Sequence, residues 1–219
     1  MKPSDSGAKS RAEAARIVND VIHHGRSLDQ VFSLSSFDDR DQALIRALAY
    51  GTLRTYLRNK CLIDQLLAKP LKKKDSIIYA LLSVGLFALT DSKRPDYAVV
   101  SATVSAADSL GRKHMRGMVN AVLRRFLRER DELLQKIATV TEAQTLHPQW
   151  LVEKFQADWP KDWQQIVAAG NHQAPMWVRV NESRVVPQEW LKRAAAAGIS
   201  TQSPVADMPG AVLDRKSVV

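Results

Sequence analysis

The side chains of this sequence that could do chemistry are mostly cationic, and they fall into three clusters. A guanidinium group binds phosphate oxygens bidentately and stays charged, so clustered arginines are typical of proteins that contact a polyanion. In chain order, the clusters are Lys9, Arg11 and Arg16, then Lys72, Lys73 and Lys74, and then Arg112, Lys113, Arg116, Arg124, Arg125 and Arg128. No acidic residue lies between 112 and 128. For any single cluster, a solvated surface is the alternative interpretation.

The distribution of charge supports the interpretation as a polyanion-binding surface. The formal net charge of the chain is +9. Residues 1–137 contain 24 Lys and Arg against 15 Asp and Glu, whereas residues 138–219 contain eight of each. All of the excess positive charge therefore belongs to the first segment, which is the segment predicted to meet a polyanion such as a nucleic acid.

A catalytic or metal-binding constellation is not evident from the residue types and their spacing. The sequence has no glycine-rich phosphate loop, no C-x-x-C and no H-E-x-x-H, so no metal site is predicted. Cys61, the single cysteine, lies among apolar residues and is interpreted as buried and inert. Tyr50, Tyr56 and Tyr97 could stack on bases, although half-buried packing is the more common role of such tyrosines.

The third basic cluster is predicted to lie on a helix with two different faces. Over residues 112–129, apolar side chains recur at helical spacing and leave the cations mainly on the opposite face. Residues 75–90 are apolar almost all round, which predicts a central buried helix. Gly85 lies in the middle of that helix, where a glycine is costly unless another backbone comes close.

The spacing of apolar residues in the rest of the chain predicts a mainly α protein. Helices are expected over 10–24, with Ser10 and Glu13 as a capping box, and over 28–34, 39–58, 62–69 and 97–110. Residues 1–137 then form an all-helical domain, 138–146 a linker, and 147–213 a small α+β module. That module is predicted from helices at 148–158, 162–169 and 187–197 and strands at 176–180 and 199–203. No apolar run is long enough to span a bilayer and disulfides are excluded, so a cytoplasmic protein is expected.

Several short motifs in residues 10–130 are similar to the NusB family. They are Asp39-Arg40-Asp41-Gln42-Ala43-Leu44, Tyr50-Gly51-Thr52-Leu53-Arg54, Val84-Gly85-Leu86-Phe87-Ala88-Leu89, Arg94-Pro95 and Val119-Asn120-Ala121-Val122-Leu123-Arg124. The resemblance implies a NusB-like helical bundle that binds RNA. It also implies that Gly51 and Gly85 mark close approaches in that bundle.

The second half of the chain narrows the resemblance. His147-Pro148-Gln149-Trp150-Leu151 and the stretch from Asn171 to Asn181 resemble the segment that joins the NusB-like and catalytic domains in the Sun/Fmu (RsmB) family. These are bacterial small-subunit (16S) rRNA cytosine-C5 methyltransferases. The resemblance implies S-adenosylmethionine as the cofactor of the full-length protein and a cysteine that attacks carbon 6 of cytosine. It also implies a second cysteine that helps release the product. Cys61 matches neither of these catalytic cysteines, so no catalytic residue and no cofactor are assigned to this chain.

Residues 214–219 read Asp214-Arg215-Lys216-Ser217-Val218-Val219, which matches a translated sequencing adapter. We interpret them as an assembly artefact and the chain as the part of the methyltransferase that precedes the catalytic domain.

Two other functions remain open. One is a stand-alone NusB-like factor that regulates transcription antitermination together with a ribosomal protein. The other is a helical protein-interaction module that does not bind RNA.

Overall fold

The structure is a computed structural model that describes residues 3–32, 36–91, 94–172, 176–199, 201–202 and 211–214. The chain divides by its packing into two compact units, Met1–Pro160 and Lys161–Val219. Three predictions extend beyond the described residues: the end of the 28–34 helix, the end of the 199–203 strand and the residues 215–219 of the proposed artefact. The motif residues 173–175 also lie outside them.

The first unit is a bundle of helices, as predicted. Its helices are α1 (Pro3–His24), α2 (Leu28–Val31), α3 (Asp39–Arg54), α4 (Tyr56–Leu66), α5 (Ser76–Asp91), α6 (Asp96–Ser109), α7 (Arg116–Arg128), α8 (Arg130–Ile137), α9 (Thr141–Thr145) and α10 (Gln149–Asp158). A single 3-10 turn precedes α5 at Lys73–Asp75, and another precedes α7 at Lys113–Met115.

Helix α5 is the centre of the bundle, which confirms the prediction from its composition. Nearly all of its residues from Ile78 to Leu89 are buried, and α1, α3, α4, α6 and α7 all pack against it. A helix without a polar face must be covered on every side, and its neighbours therefore turn their own apolar faces inward. Among the described helices, none is both long enough and apolar enough to cross a bilayer.

Two glycines let helices approach each other closely. A Cβ atom added to Gly85 would lie 3.0 Å from Leu123 Cδ2 on α7 and 3.1 Å from Thr103 Cγ2 on α6. A Cβ atom added to Gly51 on α3 would overlap the ring of Phe87 on α5. The glycines therefore set the separation between the helices, as the NusB resemblance implies.

Helix α1 begins earlier than predicted, and the expected capping box is wrong. Because the helix begins at Pro3, Ser10 lies in its interior and is fully buried. The Ser10 hydroxyl donates to Asp41 Oδ1 of α3 at 3.0 Å, so this side chain joins two helices. The helix ends at the predicted residue, before Gly25, which has a left-handed conformation with φ of 65°.

The helical run predicted through Arg58 is two helices, separated at Thr55. The Thr55 hydroxyl donates to the carbonyl oxygen of Gly51 at 2.9 Å. Asn59, which is fully buried, donates from Nδ2 to Thr55 Oγ1 at 3.1 Å and to the carbonyl oxygen of Ser83 at 3.3 Å. This buried polar cluster joins α4 to α5, and the bond to Ser83 is too distant in sequence for a periodic pattern to reveal.

The segment 138–146, predicted as a linker, contains helix α9. Ala143 and Thr145 are buried, and α9 packs against α4, as α8 also does. A five-residue helix is too short to show the periodicity that identifies longer ones. By its packing the chain divides after Pro160, whereas the sequence predicts domain boundaries at 137 and 147.

The second unit contains two helices and a small antiparallel sheet, which agrees with the predicted α+β module. Its elements are α11 (Trp163–Asn171), β1 (Met176–Arg179), α12 (Pro187–Ala196), β2 (Thr201–Gln202) and β3 (Ala211–Asp214). The strand order is β1-β3-β2, with β3 antiparallel to both neighbours. A strand–helix–strand unit with a third strand between its two strands is a split β-α-β arrangement.

The packing around Gly85 leads to a stability prediction. Gly85→Leu should lower the free energy of unfolding by about 1–3 kcal/mol, because Leu123 and Thr103 are fully buried and cannot move aside freely. As a matched control, Gly117→Ala on α7 should raise it by up to about 1 kcal/mol, since nothing lies within 4 Å of the added Cβ atom. Urea unfolding followed by circular dichroism measures both. An unchanged midpoint for Gly85→Leu would contradict the close approach.

Candidate nucleic-acid interface

Helix α7 has the two faces that the sequence predicts. Val119, Val122, Leu123 and Phe126 are buried, and these positions recur at helical spacing. Arg124 and Arg128 are exposed one turn apart on the opposite side. Arg124 Nε donates to the amide oxygen of Asn120 at 3.0 Å, whereas Arg128 forms no ion pair within the described part of the chain.

A groove runs between α6 and α7 and contains two of the predicted arginines. Arg116 and Arg124 line it from α7, together with Asn120, while Tyr97 and Ser101 line it from α6. Its volume of about 650 Å³ is in the range of ligand clefts. Arg116 forms an ion pair with Asp108 at 3.0 Å and its side chain is 43% exposed, so it stays accessible from the groove.

The structure brings the lysine cluster and the start of the arginine cluster together. Lys72, Lys73 and Lys74 are all exposed in and beside the turn before α5. Arg112 donates from Nη2 to the carbonyl oxygen of Lys74 at 3.2 Å, and Lys113 is exposed next to it. Residues 38 positions apart therefore form one cationic surface, which the separate clusters in the sequence did not indicate.

The first cluster is divided by the structure. Lys9 is exposed on α1, and Arg16 is exposed but donates to the carbonyl oxygen of Ser109 at 2.8 Å and to Glu13. Arg11, in contrast, is only 3% exposed. Burial, together with the positive charge of Arg94, lowers the pKa of Arg11 to about 10, so this buried group is still charged at neutral pH. It lines a cleft that Arg94 and Tyr97 also line.

Arg125 bonds to the bundle although it belongs to the predicted cationic ridge and its side chain is 42% exposed. Its Nε donates to Glu129 at 2.9 Å, and its Nη1 donates to the carbonyl oxygen of Leu66 at 3.2 Å. Leu66 is the last residue of α4, whose terminal carbonyl groups lack partners within the helix. Arg125 therefore joins α7 to the end of α4, and its neighbours Arg124 and Arg128 face solvent.

The three tyrosines singled out in the sequence have different surroundings. Tyr56 is half-buried, and its ring centroid lies 6.4 Å from that of Tyr79. Tyr50 is 49% exposed, but its ring stacks on Phe32 at 5.3 Å. Tyr97 is 79% exposed and makes no ring contact within the described residues. Only Tyr97 therefore has an open ring face beside predicted cations.

Sequence reasoning did not select Arg94, Asn120 or Ser101 as site residues. Arg94 and Asn120 lie in motifs on which the family resemblance rests, and that was the signal available for them. Ser101 has no such signal, because only the packing of α6 beside α7 brings it to the groove.

Cys61 is half-buried on α4, and burial raises the pKa of its thiol, which favours the unreactive protonated form. The described residues contain no cluster of three potential metal ligands.

Comparison with known protein families agrees with this architecture. The model of the NusB family matches residues 8–128. The chain belongs to the NusB family. A second family model, the ferredoxin-like domain of RsmF/B-like methyltransferases, matches residues 147–218. The chain therefore combines a NusB bundle with a module found in methyltransferases of that type.

Three of the similar curated proteins share one name. The chain is 37% identical over 87% of its length to ribosomal RNA small subunit methyltransferase B of Cronobacter sakazakii, covering 44% of that protein. It is 36% identical over 92% of its length to the protein of the same name in Escherichia coli, and 37% identical to that of Shigella boydii, covering 47% of each. It thus spans about half the length of the curated relatives it matches.

One solved structure supports the fold. The crystal structure of PH0851 aligns with 97% of this chain and 48% of its own chain, with a TM-score of 0.59 and 15% sequence identity. At this identity the likeness concerns the fold alone.

The two environments on α7 give a prediction that separates structural from solvent-facing arginines. Arg125→Ala should lower the free energy of unfolding by about 1 kcal/mol, because it removes the hydrogen bond to the end of α4. Arg128→Ala should change it by less than about 0.5 kcal/mol, since this side chain is exposed. Thermal unfolding of both variants measures the difference, and equal effects would refute the distinction.

Proposed function

We propose that the chain binds RNA and is the substrate-recognition part of a small-subunit rRNA (cytosine-C5) methyltransferase. The observation that carries the proposal is the succession of a NusB match and an RsmF/B-like ferredoxin-like match in one chain. The relatives that share both segments are named ribosomal RNA small subunit methyltransferase B. A free NusB-like transcription factor needs no second module, so the succession favours the methyltransferase.

The cationic surface supports RNA as the partner. Positive charge that is not neutralised by carboxylates within the described residues is found on Arg124, Arg128 and the exposed lysines 72–74. Such charge binds phosphate groups with release of counterions. We assign the positions Lys9, Arg16, Arg112, Lys113 and Arg116 to the same role, and Arg11 to a cleft beside it. For Arg125, which bonds to Glu129 and to the carbonyl oxygen of Leu66, we propose a structural role in place of RNA contact.

The described residues do not fit S-adenosylmethionine. The sheet of the second unit is antiparallel, and residues 180–186 after β1 contain no glycine that would let a backbone approach the cofactor. The thiol of Cys61 is held in its protonated form on α4 and is not a candidate nucleophile. We therefore assign cofactor binding and methyl transfer to the part of the methyltransferase outside this chain.

We place the protein in the cytoplasm, with the rRNA.

The proposal predicts an RNA affinity that depends on two exposed arginines of α7. Arg124→Glu combined with Arg128→Glu should weaken binding to a small-subunit rRNA fragment by roughly tenfold or more. It should also reduce the slope of log affinity against log salt concentration by about 2, because two phosphate contacts are lost. Fluorescence anisotropy titrations at several salt concentrations measure both quantities.

A matched control separates local contacts from net charge. Arg46→Glu combined with Lys136→Glu makes the same change in net charge at exposed positions on α3 and α8. This control should keep most of the affinity. If both double variants bind RNA as tightly as the original chain, the α7 surface is not the RNA-binding site. If the original chain does not bind RNA at moderate salt, a protein-interaction module becomes the better explanation.

A further inference from the structure

Tyr97 has an unusual position for a large aromatic side chain. It is 79% exposed, more than any other large apolar side chain among the described residues. Within those residues it makes no hydrogen bond and no ring contact. An isolated exposed aromatic residue needs no explanation on its own, so its surroundings decide whether it has a role.

Tyr97 and Ser101, one turn apart on α6, separate two clefts and line both of them. The first cleft is lined from α1 and the segment before α6 by Arg11 and Arg94. The second is the groove that Arg116 and Arg124 line from α7. The exposed tyrosine ring therefore stands between two pairs of arginines.

The first cleft contains a buried cation to which the described side chains supply no anionic partner. Arg11 is 97% buried, since only 3% of its surface is exposed. Its Nη1 donates to the carbonyl oxygen of Gly7 at 3.0 Å, but its Nε has no hydrogen-bond partner within the described residues. Burying a charge is costly unless it is paired, so the cleft is suited to an anion.

The second cleft also keeps its positive charge, although it contains acidic residues. Asp96, in its wall, is paired with Arg130 at 3.2 Å. Asp108, which is near it, is paired with Arg116 at 3.0 Å. Among the described residues, Arg124 bonds only to the neutral amide of Asn120. Its charge therefore remains available to a phosphate group, and no ion pair has to be broken.

We propose that Tyr97 is a stacking platform for one unpaired base of a single-stranded RNA. Arg11 and Arg94 bind a phosphate group on one side of this base, and Arg124 binds a phosphate group on the other side. The proposal rests on the proposed RNA binding and adds its chemistry: a single strand rather than a duplex. Aromatic rings stack on bases that are splayed out of a helix, which a continuous duplex does not present.

The test compares Tyr97→Ala, Tyr97→Phe and Tyr50→Ala in the full chain. The probe is a short single-stranded RNA that carries 2-aminopurine, whose fluorescence is quenched by stacking, and a duplex RNA of the same length serves as the second ligand. Tyr97→Ala should weaken binding of the single strand by about tenfold and abolish the quenching. Its affinity for the duplex should stay the same, because phosphate contacts are intact.

Two control variants show whether the effect depends on the aromatic ring of Tyr97. Tyr97→Phe should keep both affinity and quenching, since it retains the ring. Tyr50→Ala removes the other strongly exposed tyrosine and should have no effect. Thermal unfolding checks the fold of Tyr97→Ala, which should be unchanged because the side chain is exposed. If the original chain binds RNA and Tyr97→Ala binds the single strand equally well, the platform is refuted and RNA binding stands. If the original chain binds no RNA, both proposals fail.

Discussion

The burial of α5 on every side is the constraint on which the rest of the bundle depends. This helix has almost no polar surface between Ile78 and Leu89, so five other helices must cover it. Gly85 brings α6 and α7 close to it, and the buried Asn59 fixes α4 against it. Once α7 has turned Val119, Leu123 and Phe126 toward this core, its arginines can only lie at the edges of the interface or in solvent.

The same geometry sorts the cations into two kinds. Arginines at the edge of α7 bond to carbonyl groups at helix ends, as Arg125 does at Leu66, or to carboxylates, as Arg116 does at Asp108. Those in the middle of its outer face, Arg124 and Arg128, keep their charge available. A positive surface on this bundle is therefore partly structural, and the number of basic residues overstates how many can meet a phosphate group.

Much of the fold could be predicted from the sequence, because long helices leave a periodic pattern. This holds for α5, for the two faces of α7 and for the ends of the helices predicted at 10–24 and 97–110, which are followed by Gly25 and Gly111 with positive φ. Helix α9 could not be predicted, since its five residues are too few to establish a period, whereas the strand predicted at 199–203 contains β2. Strand β3 was missed as a partner of β1, because a pairing such as that of Met176 with Asp214 joins residues that only the tertiary structure brings together.

The site was less predictable than the fold, for a related reason. Residue type and local spacing indicate that Arg11, Arg124 and Arg125 are cationic, but only packing decides that the first is buried and the third bonds to α4. The union of the lysine cluster with Arg112, and the position of Tyr97 between two clefts, also depend on contacts distant in sequence.

Hydrogen–deuterium exchange of the chain with and without small-subunit rRNA tests whether α6, α7 and the lysine turn before α5 form one RNA-binding surface around the covered helix α5, as we propose. We expect rRNA to slow exchange in α6, in α7 and around residues 72–74, and to leave α8 and α9 unchanged. Slower exchange confined to residues 161–219, or spread evenly over the bundle, would contradict this proposal.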